Sequence, residues 1–292
     1  MIKPFKALSI YTVTPGWVPT EAQLAERAFR PCGPLEASTS GWAPIRDDRR
    51  VLRLGDQVML AWQIEKKVVP ADTVKRRVEE ECARIEAESG EQATRGLRRT
   101  LKLKAIDDMM PLAFTTRSTV GVWIDAKAGT IAIDTATASK ADGILLAIRD
   151  AMKDEAKIGY PDWDPSSLMR KWLADTAAPA PFAIAEGCRL SFDGQSVSYR
   201  NRDLEGDDVR MQLEGLSVDR LDLLFGGQFD LAQRGGTLFT LRASGALSGI
   251  TVEDYEIDEI DDPHDANLAL MAGEYAPLIA ALNSALTAQE IS

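Results

Sequence analysis

Between Asp72 and Asp108 the apolar residues repeat on two narrow stripes, and this confines the stretch to a pair of helices. Val74, Val78, Cys82 and Ile85 recur at helical spacing behind Asp72, which is placed to cap the first helix. Ser89-Gly90 then stops it, and Leu97, Leu101, Ala105 and Met109 repeat every fourth position in the next. Stripes this narrow, among charges this dense, can bury only one seam. The expectation is an αα-hairpin that projects from the body of the protein.

The same stretch concentrates positive charge. Glu91 to Lys104 carries Arg95, Arg98, Arg99, Lys102 and Lys104 against one acid, in a chain of net charge −11. Arg95, Arg98, Arg99 and Lys102 fall at i, i+3, i+4 and i+7, which sets four cations on one helix face. Lys75, Arg76 and Arg77 add cations near the root of the hairpin. A solvated helix face is the plain reading of such a run. A cationic rib on an apolar spine, inside an acidic chain, also suits a polyanion. Screening over about 8–10 Å lets such a patch act separately from the acidic remainder.

The rest of the composition narrows the class. With 292 residues, 45% apolar and 27% charged, the chain is long enough for two or three domains with buried cores. No apolar run approaches the roughly 20 residues that cross a bilayer, and Lys6, Thr12, Thr14 and Pro15 break up the N-terminal stretch, so a cytosolic protein is expected. Cys32, Cys82 and Cys188 lack CxxC spacing, which implies neither a disulfide framework nor a zinc site. The single histidine, His264, excludes any two-histidine metal site. There is no GxxxxGK[ST], no GxGxxG after a strand and no nucleophile elbow. Nothing marks an enzyme, and no cofactor is expected.

Along the chain, Phe5 to Thr14 reads as a strand, and Thr20 with Gln23 forms a capping box for a short helix reaching Arg30. A Pro-, Gly- and Ser-rich loop follows from Pro31 to Pro44, then a strand from Val58 to Val69. After the hairpin, Phe114 precedes a polar run, Thr115 to Thr119. Val120 to Asp125 and Thr130 to Thr135 form a β-hairpin, and Ser139 caps a helix to about Lys153. Asp164 caps a helix with Pro165 in its first turn, and Asp193-Gly194 turns a second β-hairpin. Strands are expected at Arg210 to Leu213, Arg220 to Phe225, Thr237 to Arg242 and Leu247 to Val252, before a last helix from Asp265 to about Leu286. The class is α+β, built of mixed antiparallel-sheet domains. The division is 1–70 plus 111–156 as a central domain, 71–110 as the helical tip, and 157–292 as a β-rich domain closed by the last helix.

Several short patterns, kept in order from end to end, carry a resemblance. Phe29-x-Pro31-Cys32-Gly33 with Gly41-Trp42-x-Pro44, Pro111-x-Ala113-Phe114 with Trp123-Ile124-Asp125, and Leu270-Met271-x-Gly273-Glu274 with Leu278-Ile279 resemble the signatures of the bacterial recombination-associated RdgC family. The resemblance implies a ring-shaped homodimer around a DNA-sized, positively lined hole. It implies binding of double- and single-stranded DNA with little sequence preference, and restraint of RecA-driven strand exchange by occupying DNA, in the cytoplasm at the nucleoid. The family's protruding hairpin matches residues 71–110, its gate phenylalanine matches Phe114, and its basic segment in the second half matches Arg200-Asn201-Arg202. That basic segment keeps two cations but differs residue by residue. Thr115-Thr116-Arg117-Ser118 also departs from the family beside the gate, and Gly187 to Gly249 is the least similar stretch.

The candidate DNA contacts are therefore Lys75, Arg76, Arg77, Arg95, Arg98, Arg99, Lys102, Lys104, Arg117, Arg200 and Arg202, with Phe114 at the dimer interface. No paired Asn or Gln stands ready to read bases, so recognition would rest on shape and charge. Phe114 as a core residue, and Arg200 and Arg202 as strand-edge cations, are the plain alternatives. The acid-rich run from Glu253 to Asp265 suggests an alternative Mg²⁺-dependent nuclease, although it lacks a glycine-centred calcium loop. A protein–protein adaptor, whose hairpin docks an acidic partner, is a third reading.

Overall fold

The computed structural model describes residues 3–201, 204, 206, 209, 212–213, 215–226, 236–253 and 263–287. The chain divides into two compact units. Unit one holds Met1–Glu26, Pro44–Ala61 and Val120–Ser292, and unit two holds Arg27–Ala43 and Trp62–Thr119. The α+β class expected from the sequence is present, with a large antiparallel sheet.

Unit one is built on strands with alternating or wholly apolar patterns. β1 (Ala7–Val13) lies between β6 (Thr130–Ile133) and β12 (Leu247–Glu253), antiparallel to both, with Ser9 opposite Ile133 and Leu8 opposite Leu247. From β12 the sheet continues through β11 (Gly236–Arg242), β10 (Ser217–Phe225) and β8 (Phe182–Phe192) to β9 (Gln195–Arg200). Asp193-Gly194 turns β8 into β9 as expected, with Phe192 opposite Gln195. The short strand β7 (Ile158–Gly159) pairs with β1. On the other side β6 pairs with the last residues of β5 (Phe114–Asp125), and β3 (Leu52–Leu54) pairs with the start of β4 (Gln57–Val68).

Helices close this sheet because each has one apolar face. The Thr20–Gln23 capping box starts α1 (Glu21–Ala25), which ends well short of Arg30. α4 (Ala138–Met152) buries Ile144, Ala147, Ile148 and Ala151, the face expected from its spacing. Its N-cap is Thr137, not Ser139, and makes no side-chain bond. Asp164 caps α5 (Pro165–Asp175) through the Ser167 amide at 3.2 Å, with Pro165 in the first turn. The final helical run comprises α6 (Pro263–Leu270), a π-helical turn (Met271–Tyr275) and α7 (Ala276–Thr287). Tyr275, 1% exposed, donates its hydroxyl to the Phe5 carbonyl at 2.7 Å. Where a strand was expected at Arg210 to Leu213, Val209, Gln212 and Leu213 are helical.

Unit two contains β2 (Ser38–Ala43), the second part of β4, the first part of β5, and the helices α2 (Ala71–Ser89) and α3 (Arg95–Met109). β2 arises inside the stretch expected to be a loop. Its Gly41 is required: a Cβ there would lie 2.6 Å from the Phe29 amide nitrogen and 2.7 Å from the Ala28 carbonyl carbon. Trp42, 1% exposed, meets Trp62 edge-to-face at 4.8 Å, and the Arg27 guanidinium lies 5.2 Å from the Trp62 ring centre. The polar run Thr115 to Thr119, which shows no apolar alternation, is strand as well.

Candidate nucleic-acid interface

α2 and α3 are consecutive and packed together, and each follows its predicted stripe. Val74 and Cys82 are buried with Val78 and Ile85 half-buried, while Ala105 is buried with Leu97, Leu101 and Met109 half-buried. α2 begins after Pro70, which occupies the N-cap without any side-chain bond, so Asp72 falls inside the first turn and does not cap. Gly90 ends α2 at φ +72°, in the left-handed region that a β-carbon disfavours. Thr94 caps α3 by accepting from the Leu97 amide at 3.2 Å. Glu86 fastens the connection, accepting from the Ala93 amide at 2.8 Å and pairing with Arg98 at 3.6 Å.

The two helices flank a groove of about 1330 Å³. Arg95, Arg98, Arg99 and Lys102 all line it, so the i, i+3, i+4, i+7 spacing does gather four cations. Lys75 joins them, and so does Lys67 from β4, which sequence reasoning did not single out. Six cations therefore face two carboxylates, Asp72 and Glu79, over an apolar floor that includes Val74, Val78 and Ile106. Lys75 approaches Glu79 at 3.9 Å on the exposed surface, a contact of little energetic weight. Arg95, Arg99 and Lys102 form no ion pair among the described residues. Lys67 also holds the framework, donating to the carbonyls of Pro34 at 2.5 Å and Met110 at 2.8 Å.

The other predicted contacts are dispersed. Arg76 lies 4.0 Å from Glu80, outside the groove lining. Arg77 and Lys104 lie near Glu81, whose carboxylate is held below its ordinary pKa chiefly by Arg84, with smaller contributions from both. Arg117 pairs with Glu65 and stacks on Phe29 at 5.5 Å, so its guanidinium is already engaged. Arg200 is exposed at the end of β9 in unit one, where it lines a hollow of about 360 Å³ with Arg220, Glu186 and Asp222. Arg202 lies outside the described residues, as do residues 254–262 of the acidic run. Among the described residues no group of three or more His, Cys, Asp or Glu side chains is placed to hold a metal ion.

Phe114 is 87% exposed and so is not a core residue. Leu112, equally exposed at 87%, stands two residues before it and was not anticipated. Two large apolar side chains in water at one strand entry mark a surface suited to contact. Glu65 was also missed. Its side chain is only 2% exposed, and it accepts the Cys32 amide at 2.8 Å beside its pairing with Arg117. Those two donors, the Cys32 amide first, hold its carboxylate below the ordinary range despite burial. Burial, followed by the nearby Glu65 carboxylate, pushes the Cys32 thiol up.

These groups set an acid response in unit two. Glu36, bonded by Arg30 and the Gly33 amide, has its pKa lowered from 4.5 to about 2. A carboxylate with a depressed folded pKa adds stability above its unfolded pKa and loses it as the pH falls through the folded value. Glu65 has the same sign. Thermal melts should therefore show stability falling as pH drops from 4.5 toward 2, the window set by Glu36. Glu36→Gln and Glu65→Gln should each flatten that slope; an unchanged slope in both variants would contradict the assignment.

Fold and groove together describe an α+β protein that carries a groove lined mainly by cations. The chain belongs to the RdgC family: residues 4–289 match the family model described as "Putative exonuclease, RdgC". It is 31% identical to the recombination-associated protein RdgC of Cupriavidus pinatubonensis (strain JMP 134 / LMG 1197), over 97% of each chain. Proteins of the same name from Cupriavidus necator and Janthinobacterium sp. (strain Marseille) are 29% and 28% identical, again over 97% of each chain. No helix among the described residues is long and apolar enough to cross a membrane.

Proposed function

We propose that this protein binds DNA, double- or single-stranded, without sequence preference, and so takes part in recombination. The observation that carries the reading is the convergence of Arg95, Arg98, Arg99 and Lys102 with Lys75 and Lys67 on one groove of a chain whose net charge is −11. Cations on one surface displace condensed counterions from the phosphate backbone, and that drive is blind to sequence. Lys104, Arg76 and Arg77 extend the field around the helix pair, Arg200 and Arg202 supply a second basic element, and Arg117 chiefly positions Glu65. The helix pair acts as a protruding hairpin. Two copies close into a ring through Phe114, and retention on DNA limits access by RecA filaments at the nucleoid. The protein acts without catalysis or cofactor.

A gel-shift titration at two salt concentrations tests the binding. Affinity should fall steeply with salt and equally for unrelated sequences, whereas an adaptor would show no DNA affinity even at low salt. Incubation with Mg²⁺ should leave the DNA uncut; cleavage would restore the nuclease reading. Phe114→Asp tests the assembly. Because Phe114 is 87% exposed, the substitution should leave the far-UV circular dichroism unchanged while sedimentation shifts from dimer to monomer. A wild-type protein that sediments as a monomer would remove the ring from the proposal.

A further inference from the structure

A second hollow, in unit one, has the opposite chemistry to the groove. It encloses about 190 Å³ beside β1, and the rings of Tyr11, Tyr160 and Trp163 line it. Asp142 of α4 is the one charged side chain in that lining among the described residues. Tyr11 is 4% exposed and meets Tyr160 edge-to-face, with ring centres 5.4 Å apart. Trp163 donates its indole N–H to Asn283 Oδ1 at 3.0 Å, and the turn at Gly245 lies against its ring. Two of the three rings are thus fixed by burial or hydrogen bonding before any ligand arrives. Tyr160, 68% exposed, and Asp142 stand at the solvent side.

Aromatic faces are negative at their centres, and a carboxylate beside them adds to that field. Among the described residues no cation lines the hollow, so phosphate and carboxylate ligands are disfavoured there. The volume is below the roughly 300 Å³ at which pockets for drug-sized ligands begin. It holds about six waters at roughly 30 Å³ each, which suits one small head group with part of its stem. We propose that this hollow binds the head of an organic cation, an ammonium or guanidinium group carried on an apolar stem. The proposal is independent of the DNA-binding reading, since it uses none of the groove residues.

The test follows the indole N–H resonance of Trp163 in the full ¹⁵N-labelled chain, assigned by its loss in Trp163→Phe. The probes are tetramethylammonium, blocked lysine, blocked arginine, a lysine-bearing peptide and the neutral isostere blocked norleucine. The cations should shift the resonance saturably, and norleucine should bind at least about tenfold more weakly. Asp142→Asn, at an exposed helix position, should weaken the cations about two- to fivefold and leave norleucine unchanged. Saturation by tetramethylammonium and blocked lysine would support a free amine as the natural ligand, and saturation by the peptide alone would support a partner's side chain. No response to any cation, an equal response to norleucine, or cation binding that survives both Asp142→Asn and Tyr160→Ala would overturn the proposal.

Discussion

Reversing Arg95, Arg98, Arg99 and Lys102 to Glu should reduce DNA affinity by at least about 10³-fold at 0.1 M salt, equally for all sequences. The size follows from counterion release: each neutralised phosphate contributes a slope of about −0.9 in log K against log salt for duplex DNA. Four lost contacts should flatten that slope by about 3.6, and at 0.1 M this alone spans more than three decades relative to the 1 M reference. The four side chains line one groove and lie on exposed faces of α3, so the fold should survive their replacement. Arg84→Glu is the matched control. Arg84 is paired with Glu81 at 2.9 Å and Glu88 at 3.2 Å, lies outside the groove lining, and should change neither affinity nor slope appreciably. Anisotropy titrations across a salt series read both quantities. An unchanged slope, or a loss confined to one sequence, would defeat the phosphate-contact proposal.

Trp42→Ala should destabilise unit two by about 3–5 kcal/mol, the range for deleting a large buried aromatic and leaving a cavity. Trp42 is 1% exposed, packs edge-on against Trp62, and lies next to Gly41, where the chain at Ala28 and Phe29 already approaches within a β-carbon's radius. The site cannot easily collapse, because the neighbouring backbone is in contact. The same unit holds α2, α3 and Phe114, so the loss should appear as early proteolytic cleavage in that unit at temperatures where wild type resists. Urea denaturation should show a lower midpoint. A shift below about 1 kcal/mol would mean that the Trp42–Trp62 pair is not the centre of this unit's packing.

The sequence was most legible where a local rule needs no distant partner. Thr20 with Gln23, Asp164 with Pro165, and Asp193-Gly194 are complete within four residues, and each is present. The stripes of α2 and α3 were legible because two helices burying one seam leave little choice of face. Legibility failed where tertiary pairing overrides local pattern. Ser38–Ala43 reads as loop, yet it is a strand neighbouring β4, and Ala37 accepts the Lys67 amide at 2.8 Å. Asp72 has the chemistry of a cap, but the N-cap lies two residues earlier, at Pro70. Glu65 gave one faint signal, a lone acid between Ile64 and Lys66 in an apolar strand. Its meaning depends on Cys32 and Arg117, 33 and 52 residues away in sequence. The gathering of Lys67 onto the groove was invisible for the same reason.

The groove also sets a trade between robustness and use. Arg95, Arg98, Arg99 and Lys102 repel one another when nothing occupies the space they share, since like charges one helical turn apart oppose helix formation. Exchanging Arg95, Arg99 or Lys102, which form no ion pair among the described residues, for a neutral helix-former such as Gln should make the empty protein sturdier. Cations kept there impose a standing cost on the unliganded state; on the proposed DNA-binding reading a polyanion would relieve it on arrival, and hardening this helix pair by surface redesign would then weaken DNA binding.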